Sequence, residues 1–171
     1  MLRDECIMIL YTPISDEEIN KLSVGDMIEI SGDILCGRDA VLPKVVHTDD
    51  NCIVDLLKGS VIFHTAVSKA GLGPTSSNKI EIESSIIPLS QMGVKIHMGK
   101  GRISDNTIKE MEKYNSVYAI IPPVTALLSE NTLSSEIIAY EELGMEAFYR
   151  VKVKSYPIII AAAHGQSIYD K

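Results

Sequence analysis

The segment Gly73-Pro74-Thr75-Ser76-Ser77-Asn78-Lys79 joins a turn, three hydroxyl side chains and a cation. The Gly-Pro pair enforces the turn. The hydroxyls and the backbone N–H groups around them are hydrogen-bond donors for an anion, and Lys79 adds charge. A second cation, Lys100, is flanked by Gly99 and Gly101. Glycine on both sides lets the ammonium and the neighbouring N–H groups approach one ligand closely. A third cation, Arg38, follows the strand-like stretch 24–36, and its guanidinium can grip a carboxylate through two parallel bonds. Together these groups suit a small anion with carboxylates at both ends. They do not form a phosphate-binding P-loop, because the G-x-x-x-x-G-K-[ST] pattern is missing and Lys79 does not follow a glycine.

Each residue also has a plainer reading. Arg38 could pair with Asp33 or Asp39, and Lys100 could be one more solvated lysine. The hydroxyls of Thr75, Ser76 and Ser77 could satisfy their own backbone. His64 and His164 each end an apolar run, where histidine is more often a hydrogen-bonded structural residue than a catalyst. No histidine–carboxylate pair has metal-ligand spacing, so no metal is expected on this chain.

The elements that must position these groups follow from periodicity. Residues 6–11 form a short apolar run, expected as a strand. Ser15 before Asp16, Glu17 and Glu18 marks a helix start, with the helix ending near Leu22. Residues 27–34 alternate with a period of two, the mark of a half-buried strand. Pro43 is expected to break or shorten a helix over 38–46. Residues 47–52 and 65–78 read as loops, 60–64 as a buried strand, and 79–89 as either helix or strand. Further strands are expected at 94–98, 117–121, 136–139, 148–153 and 157–163. A helix over 105–114 is capped by Ser104, a short helix covers 124–128, and a turn covers 140–143. Strands early and strand–helix–strand late imply an α/β fold, a mixed sheet with helices packed on it.

Composition narrows the class. The 171 residues are enough to bury a core without a metal or disulfide. A net charge of −7, no Trp and only two Phe argue against nucleic acid. Cys6, Cys36 and Cys52 are odd in number and widely spaced, as expected of buried apolar residues in a reducing cytoplasm. No apolar run approaches the length of a membrane span, and residues 1–11 do not read as a signal peptide.

Several motifs then occur in a fixed order. They are Val24-Gly25-Asp26 with Ile30-Ser31-Gly32, Arg38-Asp39-Ala40, Ile62-Phe63-His64, Gly73-Pro74-Thr75-Ser76, Gly99-Lys100-Gly101 and Leu143-Gly144-Met145-Glu146-Ala147. The ordered set resembles the β subunit, or C-terminal domain, of the class I iron–sulfur fumarases and the related L-tartrate dehydratases, over about residues 22–169. The resemblance implies one swivelling β/β/α domain over 1–171. It implies a cytoplasmic hydro-lyase subunit, inactive alone, that works with an α subunit holding a 4Fe–4S cluster. The reaction implied is reversible hydration of a small dicarboxylate of the fumarate/malate or tartrate type. Arg38 then resembles the arginine that clamps a substrate carboxylate, Thr75 a residue of proton transfer, and Lys100 the lysine of the Gly-Lys-Gly turn that contacts substrate. Ser76 and Lys79 complete the substrate contacts, although the family has arginine where Lys79 stands. Only eight residues separate His64 from Gly73, fewer than the family has. These two departures motivate a second reading, a non-catalytic relative that binds a carboxylate metabolite or a protein. A homodimer of the isolated chain is left open.

Overall fold

The computed structural model describes residues 8–68, 71–75, 79–121 and 132–169; the side chains of 68, 71–75 and 79–81 lie outside that description. Strand β1 (Met8–Tyr11) lies parallel to β2 (Met27–Cys36), and helix α1 (Asp16–Asn20) joins them. Ser15 and Glu18 cap α1 reciprocally, each side chain accepting the other's backbone N–H. Along β2, Ile28, Ile30 and Ile34 point inward, as the alternation requires. Beyond β2 come helices α2 (Leu42–Val46) and α3 (Asn51–Leu57), then strand β3 (Val61–Phe63). Pro43 starts α2 rather than breaking it, because in the first turn its missing N–H goes unneeded. Helix α3 begins inside the expected loop 47–52. The Asp50 side chain accepts from the Cys52 N–H and supplies the cap.

The expected loop 65–78 contains a hairpin, β4 (Thr65–Ser68) and β5 (Gly71–Thr75), with Thr65 registered on Thr75. The stretch after 79 is helix α4 (Lys79–Gln91), followed by β6 (Ile96–Gly99), α5 (Asp105–Lys113) and β7 (Val117–Ile120). The expected helix over 124–128 lies outside the described residues, as does Cys6. Strand β8 (Thr132–Ala139), a 3-10 helix (Glu141–Glu146), β9 (Phe148–Ala163) and β10 (Gln166–Ser167) complete the order.

Two expected strands, 148–153 and 157–163, are one long strand with a bend. Within β9, Ser155 takes φ +51°, and its N–H is held by the Ser31 hydroxyl at 2.9 Å. Before the bend β9 pairs with β8 and β2; after it, β9 pairs with β2 and β7. Strands β2, β3, β6 and β7 run parallel to one another, and β9 closes them into a barrel antiparallel to both flanks. The inward set Ile28, Ile30, Ile34, Val61, Phe63, Ile96, Met98, Tyr156 and Ile158 fills the barrel. Outward-facing Leu35, Ile62 and Phe148 pack beneath α2 and α3, and Tyr118 and Ala162 beneath α4 and α5. This is an α/β fold of mixed sheet and covering helices. Among the described residues no helix is long and apolar enough to cross a membrane.

The bend is a bulge of β9, where Lys154 and Ser155 together face Ser31 of β2, and the next β2 residue, Gly32, takes φ +110°. A Cβ there would lie 2.5 Å from the Thr12 hydroxyl oxygen. Gly32→Ala is therefore expected to lower stability by about 1–3 kcal/mol, through a strained backbone and the clash. A urea melt checks this: the midpoint falls while the m-value stays the same.

Candidate functional site

Because β2, β3, β6 and β7 run parallel, their carboxyl ends share one rim of the barrel. In α/β folds the loops beyond such strand ends are where ligand-binding groups gather. Arg38 follows β2, His64 follows β3 and Lys100 follows β6. The β4–β5 hairpin leaves the same rim directly after His64 and returns its last residue, Thr75, opposite Thr65. Helix α4 then begins at Lys79. The topology thus brings the backbones of Arg38, Thr75, Lys79 and Lys100 to one rim. Ser76 lies outside the described residues, and so do the side chains of Thr75 and Lys79.

Arg38 is held from both directions. The Gly37 N–H donates to the Phe63 carbonyl at 3.1 Å, docking the chain on β3. A Cβ at Gly37 would lie 2.6 Å from Val41 Cγ1, so glycine keeps this approach open. The Arg38 carbonyl accepts from the Val41 and Leu42 N–H groups and starts α2. Its guanidinium Nε donates to Glu146 Oε1 at 2.6 Å, and a terminal nitrogen reaches the same oxygen. Asp39 adds a coulombic attraction to the same guanidinium, behind that of Glu146. Glu146 stands at the end of the 3-10 helix, where Gly144 takes φ +60°. The pair is half-buried, and the carboxylate holds the arginine charge more firmly still. Glu146 Oε2 is buried with no partner among the described residues. Glu146 belongs to the Leu143–Ala147 motif, but two residues after a left-handed glycine it carries no local signal pointing to Arg38.

The Gly-Lys-Gly turn has two distinct causes. Tyr118 lies beneath it and donates its hydroxyl to the Lys100 carbonyl at 3.1 Å. A Cβ at Gly99 would sit 2.8 Å from that hydroxyl, so Gly99 is needed for space. Gly101 takes φ +77° and is needed for conformation. Burial pushes the Tyr118 phenol upward, so it stays a donor at neutral pH. Lys100 itself is exposed on the rim.

His64 and His164 part company. His164 lies past β9, at the opposite rim, where its Nε2 binds the Leu22 carbonyl at 2.9 Å. His64 lies at the site rim, fully buried, with Nε2 3.3 Å from His97 Nδ1; His97 Nε2 is 3.0 Å from the Ser90 hydroxyl of α4. Burial lowers His64 to about 4, and burial with His64 as neighbour lowers His97 well below its ordinary value. Both rings are neutral at pH 7. Among the described residues no group of three His, Cys, Asp or Glu side chains converges as metal ligands. Cys36 is buried and Cys52 exposed on α3. The clefts lined by Asp33 and Arg150, and by Asp105 and Gly165, contain neither Arg38 nor Lys100.

Residues 3–171 match the protein family described as "Fumarase C-terminus". The chain is 31% identical over 174 residues to "L(+)-tartrate dehydratase subunit beta" of Escherichia coli (strain K12), covering 94% of this chain and 85% of the relative. It is 27% identical over 177 residues to "Putative fumarate hydratase class I" of Geobacillus stearothermophilus, covering 96% of this chain and 34% of that longer protein.

The neutral histidines make stability depend on pH. Unfolded histidine binds a proton below about 6.5, whereas folded His64 does so only near 4. Between those values the unfolded chain holds more protons, so stability rises with pH there and is lost as pH falls. For His64 alone the slope approaches about 1.4 kcal/mol per pH unit. Urea midpoints should therefore drop between pH 7 and pH 5, before carboxylates titrate. Equal midpoints at the two pH values would mean the buried rings are not held neutral.

Proposed function

This chain belongs to the fumarase C-terminal family, and on that premise we propose that it is the β subunit of a hydro-lyase acting on a small dicarboxylate. The observation that carries the reading is the gathering of Arg38, Lys100 and the backbones of Thr75 and Lys79 at one rim of the barrel. Fumarate/malate and tartrate are the substrate pairs proposed, from the names its relatives carry. The partner proposed is an α subunit that brings a 4Fe–4S cluster, as the family resemblance implies and as the name of a subunit-beta relative supports for a second subunit. Bound to that partner, the cluster would supply a Lewis acid for a hydroxyl and a carboxylate oxygen. The chain is proposed to act as one swivelling β/β/α domain that closes over this partner in the cytoplasm.

The chain's own residues supply charge and position. Removal of a proton from carbon builds negative charge on the carboxylate next to that carbon. Fixed cations stabilise that charge without reorganising when it forms. Arg38 suits the carboxylate clamp because Glu146 fixes its guanidinium plane from the Nε side. Lys100 suits the second cation, presented on a turn that Tyr118 holds by its carbonyl. Thr75 and Ser76 supply hydroxyls, with Thr75 assisting proton transfer. Lys79 adds a point charge at the start of α4, without the bidentate fork of an arginine.

Mixing this chain with its α subunit, cluster intact, and assaying fumarate, malate and tartrate tests the reading. Turnover of one of them is expected. Complex formation without turnover of any counts against these substrates and favours a carboxylate-binding module. On the substrate turned over, Arg38→Ala and Lys100→Ala should each lower kcat/KM by roughly a hundredfold or more.

Glu146→Gln keeps the shape but removes the charge that orients Arg38. A rise of roughly tenfold in KM is expected, the loss of one charge-assisted hydrogen bond. Steady-state kinetics on the assembled enzyme measures it, and an unchanged KM would show that Arg38 needs no orienting partner.

A further inference from the structure

The three side chains Ser90, His97 and His64 belong to different elements yet form one buried chain. Ser90 is in the last turn of α4, His97 is in β6, and His64 is the residue after β3. All three are fully or almost fully buried. The two ring centroids are 5.5 Å apart. Three of the four ring nitrogens are engaged, and the fourth, His64 Nδ1, is buried with no partner among the described residues. The unpaired nitrogen belongs to the member at the site rim. The His64 N–H is fixed there by the Met98 carbonyl at 3.0 Å, level with the start of the Gly-Lys-Gly turn.

Neutral imidazole carries one N–H, so the chain has two self-consistent states. In one, the Ser90 hydroxyl donates to His97 Nε2, His97 Nδ1–H donates to His64 Nε2, and His64 Nδ1 carries a hydrogen. In the other every bond reverses, and His64 Nδ1 offers a lone pair. A group that both donates and accepts fits either state; a cation fits only one of them. The far end, Ser90, is buried, which gives a proton no exit to solvent. The chain is therefore a positioning device and not a proton conduit.

We propose that His64 Nδ1 is a positioning contact of the completed site, hydrogen-bonding a hydroxyl or a water held there, with its tautomer coupled through His97 to the Ser90 hydroxyl. The ligand's identity rests on the hydro-lyase reading; the tautomer chain does not. Its occupant is either the substrate hydroxyl or an ordered water, and both share the chemistry just described.

Imidazole nitrogen NMR on the full chain with isotope-labelled histidine tests this. Spectra are taken of the chain alone, assembled with its cluster-bearing partner, and assembled with malate or with succinate, which lacks the hydroxyl. The expected result is a neutral His64 whose Nδ1 signal moves on assembly or loading, while His97 keeps its signals. Movement with malate alone identifies the substrate hydroxyl, and movement with both acids, or on assembly, identifies a water. Ser90→Ala removes the far anchor and should mix the two His64 tautomers already in the isolated chain. In the assembled enzyme it should lower kcat by about tenfold with KM within twofold, and Ser90→Thr should restore kcat. A His64 Nδ1 signal identical in all four samples overturns the proposal, as does a single unchanged tautomer in Ser90→Ala. Signal movement without turnover sinks the substrate reading and leaves the contact standing; turnover without movement does the reverse.

Discussion

Strand β9 bonds to β2 along one edge and to β7 along the other, and the arrangement of the rim depends on that double pairing. Four parallel strands alone would form an open sheet whose edges offer unpaired N–H and C=O groups. Closure removes those edges and ties β2 to β7 through a shared neighbour. The loops after β2, β3 and β6 then fall on one ring rather than along a line. A 16-residue strand can do this only by bending, and the bend has a visible cause. Ser155 turns left-handed in a bulge of β9, Gly32 takes a positive φ on β2 beside it, and the Ser31 hydroxyl ties the two irregularities together. Two local defects, one on each strand, let one strand serve two partners.

The rim and the layer beneath it use opposite electrostatics. At the rim, Arg38 and Lys100 remain charged and at least partly exposed, in a chain whose net charge is −7. One turn below, His64, His97 and Tyr118 are buried and neutral. A charged histidine there would put a further cation against the rim and raise the cost of burying it. Neutral groups supply direction without charge: Tyr118 fixes the turn carrying Lys100, and the Ser90–His97–His64 chain fixes the ring at the end of β3. The cations are thus held by groups that do not compete for an anion. Carboxylates enter at Arg38, where Glu146 accepts its hydrogen bonds and Asp39 adds a coulombic attraction.

Much of this was legible in the sequence, for reasons that can be named. Period-two alternation in β2 and the Ser15 and Ser104 caps depend on neighbours in the chain, and each element formed where expected. The ordered motifs pointed to the family over nearly the whole length, and the family match covers residues 3–171. What stayed hidden depends on distant partners. The β4–β5 hairpin looks like loop because its alternation is broken by glycine and proline, and its pairing is irregular between Thr65 and Val67. Helix α3 is too short for a periodic signal and rests on one cap. Strand β9 looked like two strands because the residues around Ser155 break the local pattern while the long-range pairing continues. Glu146 and His97 gain meaning only across separations of 108 and 33 residues, which no local pattern encodes.

The Arg38–Glu146 pair bears on why such a rim would be left incomplete on one chain. Half-exposed, the pair is screened by water, and an ion pair in that setting contributes about 1 kcal/mol or less. Cover the rim with another protein and the local dielectric falls, so each Coulomb interaction there strengthens several-fold. The orienting hold on Arg38 tightens, and so does its attraction for a carboxylate. Glu146 Oε2 and His64 Nδ1 are already buried without a partner among the described residues, a cost that the uncovered rim carries. Both atoms gain from a ligand or partner group that reaches them. On the proposed reading, such a rim would hold a carboxylate more firmly once a partner covered it, because the charges that grip it would be less screened.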